Sequence, residues 1–543
     1  MTAFAEDRLS THEVVNQPQA LVDYNLLETD APLRERLREA APWALGDLAR
    51  FGEKAGRADY LELGALANRH LPEFDTHDRY GRRVDLVRFH PAYHELMRAA
   101  VAEGLAASPW DEPRPGAHVA RAAKFYMQTQ VEAGHLCPIT MTFAATPSLR
   151  LAPTLAAEWL PRIHSRTYDP ANAPAAAKAG ATIGMAMTEK QGGSDVRANT
   201  TRARAVGDGL YEITGHKFFV SAPMCDAFLV LAQTEAGLTC FLSPRWLQDG
   251  RKNGIEFVRL KRKMGNASNA SSETEWRAAL GARIGPEGRG VATIIEMVAM
   301  TRFDCMVGSC GGMRRAAAEA IDHCRQRSAF GAKLVDQPIM RGVLADLALE
   351  AEAALALTLR LAAALDGGES ALARLGLALG KYWICKRVPQ HAYEAMECVG
   401  GSGVMEDSPM PRLYREGPVN AIWEGSGNVQ CLDVLRTIQK SPDALEAYFA
   451  EVGSVRGESA ALDGHVEALK GDLRAADDFE ARAREFCDRL ALGLQACAMI
   501  RTAPGAVADA FVRTRLETRG AHHYGVLPSG VDAAAIVRRA AAR

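Results

Sequence analysis

Residues 185–195 read Met-Ala-Met-Thr-Glu-Lys-Gln-Gly-Gly-Ser-Asp. An apolar lead-in stops at Thr188, and Gly192 and Gly193 turn the chain beside Ser194, gathering several backbone N–H groups at one point. Such a turn can donate to a phosphate or to the polar edge of a ring. Most Gly-Gly-Ser-Asp loops are only turns, so its meaning depends on its surroundings. From about Thr182 to Pro286 the chain consists of short β-rich runs, Leu210 to Val220, Ala227 to Gln233 and Leu238 to Leu242, parted by Gly, Pro and Asp. Before it, Tyr93 to Ala107 and Ala117 to Glu132 read as amphipathic helices. After Gly290 the chain turns Ala- and Leu-rich. Leu344, Leu347, Ala348, Ala351 and Leu355 share one helical face, Gly367-Gly368 breaks that helix, and a second long one runs from about Ser370 to Val399.

These textures predict a mainly α chain with a β domain. Its expected parts are an N-terminal helical domain (1–181), a middle β-barrel or sheet domain (182–288), a C-terminal four-helix bundle (289–440) and an extra helical domain with a basic tail (441–543). The lack of strand–helix–strand alternation argues against a doubly wound sheet.

At 543 residues, 48% hydrophobic and 24% charged, the composition excludes wholesale disorder. A net charge of −2 gives no chain-wide signal for nucleic acid or membrane, and no apolar run reaches the roughly 18 residues of a membrane span. Met1 to Glu13 carries three acids before any apolar stretch and does not read as a secretory signal. Eleven singly placed cysteines suit reduced thiols in a cytoplasmic protein. Charge is uneven locally. Phe511 to Arg543 holds six arginines (513, 515, 519, 538, 539 and 543) against Glu517 and Asp532, a net of +4. Arg259, Lys261, Arg262 and Lys263 form a second cluster, and neither has the interleaved aromatics that stack bases.

Several motifs fail. Gly376 and Gly380-Lys381 fall one residue short of a phosphate-binding loop, inside a helical pattern. His90 and His94 flank Pro91 with no third ligand, so they read as hydrogen-bonded histidines, and no metal is expected. Gly401-x-Gly403 and Gly425-x-Gly427 follow no strand, so a nicotinamide fingerprint is absent.

Two further segments join the first. Arg325-Gln-Arg-Ser-Ala-Phe-Gly331 closes a helix, with Gly331 expected as its terminating residue. Arg327 there suits either a pyrophosphate or the helix dipole. The other runs from Gly400-Gly-Ser-Gly403 to Ile422-Trp-Glu-Gly-Ser-Gly-Asn428. A carboxylate between tryptophan and glycine in an apolar strip is desolvated, which raises its pKa and strengthens it as a base. The alternative is an acid in the first turn of a helix from Asn428 to Lys440.

Together the three segments resemble the signatures of the acyl-CoA dehydrogenase flavoprotein family, in the family's order, over roughly residues 90 to 440. His90-Pro-Ala-Tyr-His94, Thr188 to Arg197, Lys263 to Ala270, Thr301-Arg-Phe-Asp304 and Trp423 to Asn428 resemble most the AidB-like, alkylation-response branch. The resemblance implies FAD. Met185, Met187, Thr188, Gly193 and Ser194 match its binding loop, while Phe219, often Trp in the family, and Ser221 flank the ring system. Arg327, Phe330, Gly400 and Gly401 match contacts to the FAD of a neighbouring subunit, which implies a homotetramer. Among those contacts Glu397 stands where the family usually has Gln, and Gln337 lies one place before the family's glutamine position, which falls at Pro338. Ser426 and Asn428 match the adenosine side.

Glu424 matches the catalytic base. Some relatives carry their base at the position of Thr301, which cannot serve, so Glu424 is the one candidate. Its N–H and a cofactor hydroxyl would form the oxyanion hole. Arg302 and Trp423 are candidate substrate contacts. The expected reaction is α,β-dehydrogenation of an acyl-CoA or related thioester. The alternative is an AidB-type flavoprotein that binds double-stranded DNA and protects against alkylation damage with little turnover.

Overall fold

The change of texture at Thr182 is a change of architecture in the computed structural model, which describes residues 11–475, 478–517 and 523–543. The reading of Met1 to Glu13 as no signal lies mostly outside the described residues, and so does Arg519.

Eight α-helices from Ala31–Ala40 to Pro153–Ile163 precede the sheet. Ala117–Val131 departs from its amphipathic reading, because it is buried on nearly all sides against Gly290–Gln326, Pro338–Asp366 and Leu45–Gly56. Several of its polar residues find partners within the protein. Arg121, for example, is fully buried and paired with Asp304. The helical reading of this part also missed an antiparallel hairpin, Glu73–His77 with Arg83–Arg88. Its strands are five and six residues long and rich in charge, so they carry little period-2 signal. It rests on the middle sheet through Phe74 against Phe257 and a 2.6 Å bond from Arg83 Nη2 to the Phe257 carbonyl.

The middle sheet has seven strands. Ala227–Thr234 pairs with Gly237–Pro244, that strand with Ser271–Ile284, and the next two are Leu210–Ser221 and Arg202–Gly207. A single parallel bridge, Arg202 to Gln233, returns to the first strand and closes a ring. Ile183–Ala186 runs parallel to Ala227–Thr234 and delivers the glycine loop at its C-terminal end.

Behind the sheet stand Gly290–Gln326, Pro338–Asp366 and Ser370–Val399, followed by Met410–Ile422 and Gly427–Lys440. The first of these ends at Gln326, five residues before Gly331. Gly331 instead sits with Phe330 in a two-residue hairpin turn, with φ of 81° and 51°. That turn needs positive φ at both places, which glycine supplies at little cost.

The last helices, from Pro442–Gly453 to Ala533–Ala540, pack along Pro338–Asp366 and Ser370–Val399. One apolar core continues from Leu26 to Val537. The basic tail is drawn into this packing. Arg515 pairs with Asp346 and Glu350, Arg539 with Glu35 and Glu352, and Arg543 with Asp322. Arg259 and Lys261 both pair with Glu273, and Lys263 donates to the Asn269 carbonyl. All eleven cysteines are buried free thiols. Among the described residues no helix is long and apolar enough to cross a membrane, and no group of three or more His, Cys, Asp or Glu could hold a metal.

Candidate active site

Where the glycine loop of the sheet faces the bundle, the chain encloses a cavity of about 670 Å³. Met185, Met187, Thr188, Gly193, Ser194, Phe219 and Ser221 line it from the sheet, and Arg302, Trp423, Glu424 and Ser426 from the bundle.

The sheet side is fixed by a buried ion pair that sequence reading passed over. Glu189 points inward from the loop and accepts from Lys217 Nζ (2.9 Å), from the N–H groups of Thr200 and Thr201, and from Gln191. Although burial opposes the charge, these bonds hold its carboxyl well below the usual range. Lys217, fully buried, is pushed down to about 8 by burial. With Glu189 as an inner post, the Gly192–Ser194 turn is displayed toward the cavity. Gly193 is required there, since a Cβ would sit 2.5 Å from Thr188 Oγ1. Beside the turn, Phe219 stays 45% exposed, a flat apolar face beside the Ser221 hydroxyl. Lys261 Nζ lies 4.4 Å from the Phe219 ring centroid.

On the bundle side, Glu424 has φ of 57° and Gly425 95°, so the chain leaves Met410–Ile422 through a left-handed corner. Side chains from three helices pin that corner. Lys381, buried on Ser370–Val399, donates to the carbonyls of Trp423 and Gly425. Arg302 Nε donates to the Glu424 carbonyl (3.2 Å), while its Nη1 pairs with Asp433 (2.7 Å). Gln430 Nε2 bonds the Glu424 carbonyl at 2.8 Å. The carboxyl itself opens on the cavity, and Thr301 Oγ1 lies 2.8 Å from its Oε2. Burial raises its pKa above the ordinary carboxylate value, against the opposing effects of the Thr301 bond and the Lys381 and Arg302 charges.

The other expected contacts lie elsewhere. Arg327, Phe330, Gln337, Glu397, Gly400 and Gly401 do not line the cavity. Cys324 Sγ approaches the Cys398 carbonyl, which sets the turns after Gln326 and Val399 together at one end of the bundle. Phe330 is fully exposed there, and Glu397, Gly400 and Gly401 are exposed too. Asn428 also lies outside and accepts from Arg484 of the last helical segment. The discarded histidines have structural partners: His90 caps Pro91–Ala102, and His94 bonds Tyr168.

FAD is the cofactor the family resemblance implies, and the residues present fit it. An exposed phenyl face, a turn closed to a Cβ at Gly193 and the Ser194 and Ser221 hydroxyls border one apolar cavity.

Comparison with known proteins agrees with this geometry. Residues 16–170 match the adaptive response protein AidB N-terminal domain, 184–278 the acyl-CoA dehydrogenase middle domain, and 288–439 the acyl-CoA dehydrogenase C-terminal domain. The chain is 47% identical over 517 residues to AidB of Escherichia coli (strain K12), covering 94% of this chain and 95% of that one. It is 31% identical over 471 residues to acyl-CoA dehydrogenase family member 11 of Caenorhabditis elegans, covering 82% and 74%. The crystal structure of ACDH-11 from Caenorhabditis elegans in complex with C11-CoA superposes with a TM-score of 0.86, at 26% identity and 95% coverage of both chains. The chain belongs to the acyl-CoA dehydrogenase family of flavoprotein oxidoreductases, in its AidB-like branch.

Proposed function

We propose that the chain binds FAD and oxidises an acyl-CoA or related thioester to its α,β-unsaturated form. The observation that carries this reading is the Glu424 carboxyl, raised in pKa, opening on the same cavity as Phe219, Ser194 and Ser221. FAD, when bound, supplies the acceptor for the β-hydride. Glu424 takes the α-proton, and its own N–H, fixed in direction by the left-handed corner, donates to the thioester oxygen as negative charge develops.

Thr301 suits the proton's arrival. Its hydroxyl lies 2.8 Å from Glu424 Oε2 and 3.0 Å from the Val298 carbonyl, and a single hydrogen serves one of them at a time. With Glu424 ionised, Thr301 donates to it. Once Glu424 is protonated, the carboxyl can donate to Thr301 and the hydroxyl turns to Val298. Trp423, held by a 2.9 Å bond to Asn420, closes the wall beside the base and keeps water out.

The exposed end of the bundle, with Arg327, Phe330, Gln337, Glu397, Gly400 and Gly401, is proposed to reach the FAD of a neighbouring copy in a homotetramer. The DNA-binding alternative draws on branch similarity and on the exposed Arg262 and Arg538, because Arg515, Arg539 and Arg543 pair with this chain's own acids.

The test is anaerobic titration of the purified protein with acyl-CoAs, following the flavin absorbance. The wild type should bleach, and Glu424→Gln should bind without bleaching. Bleaching that survives Glu424→Gln overturns the assignment of the base.

A further inference from the structure

The cavity does not end at the base. Glu424 lies against Thr301, and Asn420 bonds the Cys305 carbonyl and Ser309 Oγ, so Met410–Ile422 runs antiparallel to Gly290–Gln326 away from the reacting centre. Along that path the wall is kept open by glycine. A Cβ at Gly312 would meet nothing within 4 Å, and one at Gly308 only ordinary contacts at 3.6 Å or more. From Thr301 to Gly312 the helix rises about 16 Å, which an extended acyl chain spans in roughly a dozen bonds at about 1.2 Å each.

At the far end the lining is polar and incompletely bonded. Arg412 enters from Met410–Ile422 and makes no hydrogen bond or ion pair among the described residues, and its Nη1 is buried. Two carboxylates lie near, and other groups already hold both. Glu132 accepts from Asn68, Ser268, the Gly134 N–H and the His135 N–H, and pairs with His135 Nδ1. Glu416 accepts twice from the Asn266 N–H, at 2.7 and 2.8 Å. Gln130, 3% exposed, also lines the cavity, and its Nε2 has no acceptor among the described residues. A guanidinium and an amide donor left without acceptors in a buried site cost more than apolar side chains of the same size. A pocket meant only for a plain alkyl tail gains nothing from them.

We propose that Arg412 and Gln130 seat the far end of an acyl chain that terminates in a hydrogen-bond acceptor, a carboxylate above all. The substrate class is then an ω-carboxy acyl thioester of about a dozen carbons. Arg412 and Gln130 act as specificity residues, remote from the bond that is broken. The inference rests on the dehydrogenase reading above and narrows its substrate.

The experiment is anaerobic titration of the FAD-loaded protein with dodecanedioyl-mono-CoA, dodecanoyl-CoA and octanoyl-CoA. Flavin absorbance and calorimetric binding are read side by side. A charge-assisted bond at the tail should give the dodecanedioyl thioester a Kd about ten- to a hundredfold below that of dodecanoyl-CoA. Arg412→Met should erase the preference while leaving octanoyl-CoA, which is too short to reach, unchanged. That unchanged response also shows the variant is folded. Gln130→Leu should weaken the preference in the same direction, as a second route should Arg412→Met not fold. Equal or tighter binding of dodecanoyl-CoA by the wild type overturns the tail assignment alone. If no thioester binds or perturbs the flavin, the dehydrogenase reading falls and the tail assignment with it.

Discussion

The two ends of the cavity treat charge in opposite ways. Around Glu424 the cations Arg302, Arg374 and Lys381 each have a structural duty: Arg302 with Asp433 and the Glu424 carbonyl, Arg374 with Asp433, and Lys381 with two carbonyls. At the inner end Arg412 has no bonded acceptor among the described residues. Satisfied polar groups fix one geometry, and that is what a base needs to stand within reach of an α-carbon. An unbonded guanidinium that faces the cavity is instead available to a ligand. The difference separates the part of the site that performs chemistry from the part that chooses the substrate.

The sharpest way to break the comparison is at the base. Glu424→Gln keeps the shape and the Thr301 contact but cannot accept a proton, so substrate-dependent flavin reduction should fall about 10²–10⁴-fold in stopped-flow traces, with thioester binding retained. A smaller change is expected one step back, at Lys381. Its positive charge favours the ionised form of Glu424, and its bonds hold the corner. Lys381→Met should lower the reduction rate about tenfold at neutral pH and move the base limb of the pH–rate profile upward. The rate should recover at higher pH. A uniform loss at every pH would mean that Lys381 only supports the fold.

How far the sequence announces these roles depends on whether partners are neighbours in the chain. Glu424 is legible because its desolvating neighbours, Trp423 and Gly425, adjoin it, and the glycine loop is legible for the same reason. Lys381 is not. Its glycine-lysine pair resembles part of a phosphate loop, and the carbonyls it holds lie 42 and 44 residues further on. Glu189 stands within the recognised loop, yet its anchor Lys217 comes from another strand. Arg412 carries no local signal, since only the packing of three helices shows that its guanidinium lacks an acceptor. The hairpin at Glu73–His77 and the early end of the helix at Gln326 were hidden by weak alternation and by a glycine that suits two kinds of turn equally well.

Glu416 sharpens the contrast through pH. Burial, aided by the nearby Glu132 charge, pushes its carboxyl up to about 7, against the Asn266 bond and the Arg412 and Lys263 charges. Between about 4.5 and 7 the native state keeps a proton that the unfolded chain has lost. The group therefore makes stability fall as pH rises through that window, by up to about 3 kcal/mol. Glu416→Gln should flatten this dependence, so calorimetric Tm values of the two proteins should draw apart between pH 5 and pH 7.

The smallest effect concerns the tail, where Arg515, Arg539 and Arg543 behave like the cations around Glu424 rather than like Arg412. Arg539 reaches Glu35 and Glu352, both acids of this chain, and the Glu352 side chain is only 9% exposed. Arg539→Gln strands that carboxylate and should cost about 1–3 kcal/mol of stability, read as a lower Tm. If duplex DNA binds at low salt, its affinity should be indifferent to this change and sensitive to Arg262→Gln and Arg538→Gln, whose side chains are exposed. With so few phosphate contacts the salt slope should also be shallow, because each contact contributes slightly less than one counterion. A steep slope, or loss of binding in Arg539→Gln without loss of Tm, would mean that the tail releases its own acids to meet phosphate, and the likeness to the Glu424 end would fail there.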